Sequence, residues 1–272
     1  MQRKALGSSL GMVLAIFSLV FLGVGCQSTQ ALVPDSDALY QVSLLNALML
    51  GEYDGVVSVA KLKEQGDVGI GTFDALDGEM IMLDGVVYKA LHTGEVVVQE
   101  DTETVPFGAV TWFDADFPAL PVQSVPDIAG IKTLLDGSLE DFNAFYVAVL
   151  EGKFSMVHVR SVPEQTKPYP RLSAIAAKQP EFIYEDLEGT IVAFRCPDYV
   201  EGINLPGWHL HFLSDDKKKG GHLLDARIDI GEVQMDVIRE FALVLPQSAS
   251  FASMDVTHDL RNETIQVEGK EK

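Results

Sequence analysis

From Gly55 to Leu245 the chain is written in short runs of β-branched, aromatic and other apolar residues, separated by glycine, aspartate, proline and charged residues. That punctuation constrains the fold more than any other feature, because runs of this length suit strands and are too short for most helices. In the first half such runs lie at 56–59, 69–73, 79–83, 86–90 and 95–99, with Asp84-Gly85 a two-residue hairpin turn between two of them. Runs at 145–150 and 154–159 read as another hairpin across Glu151-Gly152. The second half has runs at 189–194, 208–213, 223–230, 233–238 and 241–245. Helical spacing is confined to Leu44, Leu45, Leu48 and Met49 before Gly51, to Ile128, Ile131, Leu134 and Leu135 before Gly137, and to a shorter piece at 172–178. The expected class is α+β: two domains, each built on a mixed or antiparallel sheet with a few helices. The three prolines within 163–170 mark the connection between an N-terminal domain at 39–165 and a C-terminal, β-rich domain at 166–248. A polar tail with one short helix follows at 249–272.

The start of the chain reads differently. Arg3 and Lys4 precede an uncharged apolar run from Leu10 to Gly25, which ends in Gly-Val-Gly and is followed by Cys26. A basic start, a short apolar stretch and small residues at the end describe an export signal over 1–25. The run falls short of the roughly 20 residues that a spanning helix needs. Gly25-Cys26 is similar to the end of a bacterial lipoprotein signal, although Leu22 sits one position further upstream than that pattern has it. The expectation is a lipid-anchored protein facing the periplasm or cell exterior, tethered to the membrane through Cys26 and a polar segment at 26–38; the alternative is a secreted protein with a chance cysteine. The only other cysteine is Cys196, so acylation of Cys26 leaves no disulfide within the chain. With 40 acidic against 20 basic residues, a formal charge of −20 disfavours nucleic acid and anionic lipid as partners. An anionic small-molecule substrate would then need local positive charge, from a metal and a well-placed arginine.

Three of the six histidines fall within Gly207-Trp-His-Leu-His-Phe and the later Gly220-Gly-His. On a strand His209 and His211 project from one face while Leu210 and Phe212 point into a core on the other. The polar turn at 214–221 can return His222 beside them on the neighbouring strand. Three imidazoles on a rigid hairpin make a divalent-metal site, and three neutral ligands leave open positions for catalysis. Imidazole ligands suit zinc, iron, nickel and copper, so ligand type alone does not choose the ion. His92, His158 and His258 show no such grouping and read as surface or core residues.

The run from Gly207 to His222 resembles the metal-binding hairpin of bacterial α-acetolactate decarboxylases. Asn46-Ala-Leu-Met-Leu-Gly, Gly69-Ile-Gly-Thr-Phe, Leu76-Asp-Gly-Glu-Met-Ile and Arg160-Ser-Val-Pro through Tyr169-Pro match that family in the same order. The resemblance implies decarboxylation of 2-acetolactate, a 2-hydroxy-3-keto acid, to acetoin and carbon dioxide. The metal would chelate the substrate's hydroxyl and carbonyl oxygens and stabilise an enediolate. It also implies that Arg160 faces the site and pairs with the carboxylate or helps deliver a proton, that Glu79 and Thr72 lie close by, and that Glu268 reaches in from the tail. The two carboxylates would shuttle protons, acid and base being left open between them. A homodimer is expected, with the metal site near a domain interface. Two other classes compete: a non-catalytic metal- or solute-binding lipoprotein, which has no need of Arg160 and Glu79 beside its ion, and a cupin-like metalloenzyme, which shares H-x-H on a strand. A cupin places a glutamate a few residues after the second histidine, where this chain has Asp215 and Asp216.

Overall fold

Alternation of apolar side chains decides how each strand is buried. In the computed structural model, which describes residues 37–268, the strands in chain order are β1 (Ala38–Val42), β2 (Val57–Ser58), β3 (Val68–Thr72), β4 (Glu79–Leu83), β5 (Val86–Ala90), β6 (Val96–Val98), β7 (Thr104–Val105), β8 (Phe107–Thr111), β9 (Leu120–Val125), β10 (Phe145–Arg160), β11 (Glu181–Cys196), β12 (Gly207–Ser214), β13 (Gly220–Ile238) and β14 (Glu240–Val244). The helices are short: α1 (Leu45–Met49), α2 (Val59–Lys63), α3 (Ile128–Asp136), α4 (Leu172–Ala176), α5 (Ala249–Ser253) and α6 (Arg261–Glu268). The architecture is α+β, mostly sheet. The export signal and all but the end of the tether lie outside the described residues. Among the described residues no helix is long and apolar enough to cross a membrane.

One sheet runs β14-β1-β8-β3-β4-β5-β6 and is antiparallel except where β1 pairs in parallel with β14. A second runs β10-β11-β12-β13-β9, and β10 also pairs with β13, so that four strands close into a ring, while β2 and β7 form a separate two-stranded ribbon. Phe145, Val147 and Val149 of β10 enter a core shared with Leu39, Ile70, Ile81 and Ala109 of the first sheet. Tyr146, Ala148 and Leu150, one residue out of phase, enter the core inside the ring, with Ile131 and Leu135 of α3. Trp208, Leu210 and Phe212 of β12 point into that inner core as their alternation predicts, so His209 and His211 take the opposite face.

The boundary expected at 165/166 is corrected by this packing. The described residues, 37–268, all fall within one compact unit. The ring takes its strands from both sides of residue 165, β14 returns to the first sheet, and one core joins the two sheets. The hairpin expected at Glu151-Gly152 is likewise absent: β10 runs straight through. Gly152 faces Gly231 across the β10–β13 ladder, and a Cβ on Gly152 would lie 2.7 Å from the Ile230 carbonyl oxygen. The two glycines allow close backbone approach rather than a turn, and they merge the expected strands at 223–230 and 233–238 into β13. The Asp84-Gly85 turn is as expected, with φ of 52° and 73°. The run at 56–59 becomes two residues of strand followed by α2, because the Ser58 hydroxyl accepts from Lys61 N and caps the helix. The tail has two helices where one was expected.

Candidate active site

The β12–β13 hairpin is closed by a polar turn. Ser214 Oγ donates to Asp216 Oδ1 at 2.7 Å and accepts from Lys219 N at 3.0 Å. That turn sets His211 directly opposite His222, with His209 two residues earlier on the same face. His209 Nε2 lies 3.0 Å from His222 Nδ1 and 3.2 Å from His211 Nε2. Ligand atoms of all three rings fall within 4.8 Å of one another. Nitrogens bound tetrahedrally at 2.0–2.1 Å stand roughly 3.3 Å apart, so the ring positions fit a divalent ion of that size.

The protonation pattern fits as well. His211 Nδ1 donates to the Met80 carbonyl of β4 at 2.8 Å, which leaves the Nε2 lone pair facing the other two rings. Burial is the main cause that lowers all three histidines, with Arg160 adding to it for each: His209 to about 3, His211 and His222 well below the usual value. At neutral pH they are uncharged donors.

Around them the structure brings together every other site residue expected from the sequence. Arg160 ends β10 opposite His222 and is 6% exposed. Its Nη1 donates to the Val267 carbonyl of α6. Gln179, with its amide oxygen turned toward the guanidinium, accepts from Nη1 at 3.0 Å and Nε at 3.3 Å. Thr72 and Glu79 pair across β3 and β4, and Thr72 Oγ1 donates to Gly78 O at 2.7 Å. Gly78 has φ +83°, and a Cβ there would meet the Ala90 oxygen at 2.6 Å; the chain can bend here and start β4 at Glu79. Glu79 Oε2 is 3.8 Å from His211 Nε2. Glu268, the last residue of α6, places Oε2 3.5 Å from His222 Nε2 and Oε1 3.9 Å from Arg160 Nη2. Burial pushes Glu79 up to about 8, against the pull of Arg160 and with a push from Glu268. Burial raises Glu268 too, opposed by Arg160 and Lys132.

A cavity of about 50 Å³ is bounded by Thr72, Glu79, Arg160, His209, His222 and Glu268 on its polar side and by Leu45, Leu48, Leu76 and Phe107 on its apolar side. His209, His222 and Glu268 also border a wider cavity of about 1300 Å³ that reaches Lys132 of α3. The arrangement offers a cation site, an arginine fork and two carboxyls around a space suited to a small acid. Sequence reasoning did not find Gln179, Lys132 or the carbonyls of Met80 and Val267; backbone acceptors and a lone lysine or glutamine leave no spacing signal. His158 pairs with Glu181 at 2.9 Å and His258 lies near Asp255, both away from the cluster.

Residues 39–258 match the sequence model of the alpha-acetolactate decarboxylase family. The alpha-acetolactate decarboxylase of Methanosarcina mazei is 41% identical over 247 residues, which cover 89% of this chain and 85% of that protein. Its counterpart from Brevibacillus brevis is 36% identical over 236 residues, 87% of this chain and 82% of that protein. The crystal structure of alpha-acetolactate decarboxylase from Bacillus subtilis superposes with a TM-score of 0.83 at 31% identity, covering 86% of this chain and 100% of the other.

Proposed function

We propose how this chain, which belongs to the alpha-acetolactate decarboxylase family, uses the residues just described to convert 2-acetolactate to acetoin and carbon dioxide. The observation that carries the assignment is a cluster of three neutral imidazoles, two of which, His209 and His222, line one small cavity together with Arg160, Glu79 and Glu268. His209, His211 and His222 would hold a divalent ion, for which the family resemblance supports zinc and the imidazole ligands also allow iron, nickel or copper. When bound, the ion would supply Lewis acidity toward the substrate's ketone and hydroxyl oxygens.

The chain's own groups do the rest. Arg160, its Nη1 and Nε held by Val267 and Gln179, offers Nη2 to the substrate carboxylate and supplies local positive charge in a chain of net charge −20. The reaction takes up one proton at the carbon that carbon dioxide leaves. Glu79, whose carboxyl burial pushes up to about 8, is placed to carry that proton on a carboxyl oxygen at the cavity wall. Glu268 borders both cavities and serves as the relay that returns a proton from solvent. Thr72 has its hydrogen committed to Gly78, so its oxygen offers only lone pairs, suited to a substrate hydroxyl. The apolar wall keeps water from the reacting carbon.

The basic start, the apolar run to Gly25 and Cys26 support export, and the position of Cys26 supports a lipid anchor. The family resemblance supports a homodimer, and exposed Ile183 and Ile230 on the long strands are apolar surface for a second copy to cover. The two competing classes fall away with family membership.

The test is His211→Ala. Metal content should drop and acetoin formation from racemic 2-acetolactate should fall to the uncatalysed rate, with the circular dichroism of the fold retained. Unchanged metal stoichiometry would remove the ligand assignment.

A further inference from the structure

We propose that Glu263 is a positioning residue of this active site: it fastens α6 to α4 so that Glu268 stands beside Arg160 and His222. The inference rests on the reading of Glu268 as a working carboxyl.

Beyond an exposed ion pair from Arg261, its first residue, to Glu201 at 2.9 Å, which is worth little in water, few contacts fix α6. Of its eight residues only Val267 is buried, and a single apolar side chain does not set the rotation of a helix. Val267 and the preceding Leu260 join a cluster with Leu45, Leu48, Leu172 and Ile175, which holds α6 near α1 and α4 without defining which way it turns. Direction comes from polar contacts at its two ends. In the first turn, Glu263 divides its oxygens: Oε1 accepts from Arg171 Nη1 at 2.7 Å and Oε2 accepts from Ser173 Oγ at 3.0 Å. Arg171 caps α4 and Ser173 lies within it, so both donors come from one element. In the last turn the Val267 carbonyl accepts from Arg160. Glu263 and Val267 are four residues apart and share a face. Pinned at both points, the helix cannot rotate without breaking one of them, and Glu268 lies about 7.5 Å along the axis from Glu263 at 1.5 Å per residue. The segment leading into α6 is tied separately: Asn46 Nδ2 donates to the carbonyls of Val256 at 2.9 Å and His258 at 3.1 Å. Loss of the Glu263 contacts therefore leaves the tail docked and the Arg160–Val267 bond in place, with α6 free to pivot about that one remaining point and carry Glu268 out of line.

The experiment uses the full chain in its metal-loaded state, with metal content measured for each variant. Glu263→Ala should lower kcat about fivefold, the size supported by a partly exposed ion pair with one added hydroxyl bond. KM and metal content should stay within about twofold, because the groups that bind substrate and ion are untouched. Glu263→Gln can still accept from Arg171 and donate to Ser173, and should recover most of the loss. In a Glu268→Gln background, Glu263→Ala should cause no further fall, since its effect passes through Glu268. An unchanged kcat for Glu263→Ala beside a damaged Glu268→Gln overturns the proposal and leaves the role of Glu268 intact. A further fivefold fall in the double variant also overturns it, by showing a role that does not act through Glu268. Full activity of Glu268→Gln alone sinks the reading of Glu268 and the proposal with it.

Discussion

Asp236→Asn should stabilise the protein at pH 8 and do progressively less as the pH falls. Asp236 lies on β13 with 0% of its surface exposed. Its Oδ2 accepts from Asp114 N at 3.3 Å, while Oδ1 has no hydrogen-bond partner among the described residues. Burial is the main cause that pushes its carboxyl from 3.8 up to about 7. The Asp114 N–H opposes that rise, and the charges of Asp37 and Asp116 and a hydrogen bond with Asp116 add to it. Between about pH 4 and the folded value near 7 the folded chain keeps a proton here that the unfolded chain has released. Stability from this group therefore falls as pH rises through that window and is level above it. At ~1.36 kcal/mol per unit the shift sets a ceiling of about 4 kcal/mol. Work is best kept above the pI of about 4.5; from pH 5.5 to 8 about half the window is sampled, and screening of the exposed Asp37 and Asp116 leaves about 1–2 kcal/mol. Asparagine reproduces the protonated state: its Oδ1 can accept from Asp114 N–H and its Nδ2 can donate to Asp116. The assay is urea unfolding of both proteins at the two pH values, with the stability gap expected to widen by that amount and the m-value unchanged. An equal gap at both values, or a variant less stable than the parent at pH 8, would refute the reasoning.

Two further outcomes follow from the geometry. Gly152→Ala should destabilise the fold by about 1–3 kcal/mol, because the new methyl meets backbone on β13 that cannot yield; a loss under ~0.5 kcal/mol in urea melts would show that the ladder is looser than described. Arg160→Lys should lower kcat/KM about 100-fold with metal content intact, since an ammonium cannot bond Val267 and Gln179 and still present a fixed donor to the substrate; activity within threefold of the parent would remove the role given to the guanidinium.

Much of the site could be read before any coordinates. His209 and His211 share a face by strand period alone, and the polar turn at 214–221 made the return of His222 foreseeable. Thr72, Glu79, Arg160 and Glu268 came through the family resemblance, and nothing local in the sequence marks them: an arginine closing a strand and a glutamate in a polar tail look like ordinary surface residues. The errors share one cause. Gly152 reads as a turn residue and Gly231 falls in the gap between two expected strands, because glycine signals permissive backbone without saying whether the need is a bend or a close approach. Which need applies depends on a partner strand about eighty residues away, and no local pattern reports it. The two-domain expectation failed for the same reason: Val147 and Tyr146 look alike in the sequence, yet one serves a core between sheets and the other a core within the ring. The support around Arg160, from Gln179 and the Val267 carbonyl, is tertiary and had no signal to find.

The parallel pairing of Ala38–Val42 with Glu240–Val244 has a kinetic consequence. The earliest strand of the body takes an edge partner made roughly two hundred residues later, so that side of the sheet is completed only when the loop it closes spans nearly the whole domain. High contact order of this kind slows folding. Until β14 arrives, β1 presents open backbone to any other extended chain, and a helper that shields this edge during synthesis would improve the yield of soluble protein without touching the chemistry.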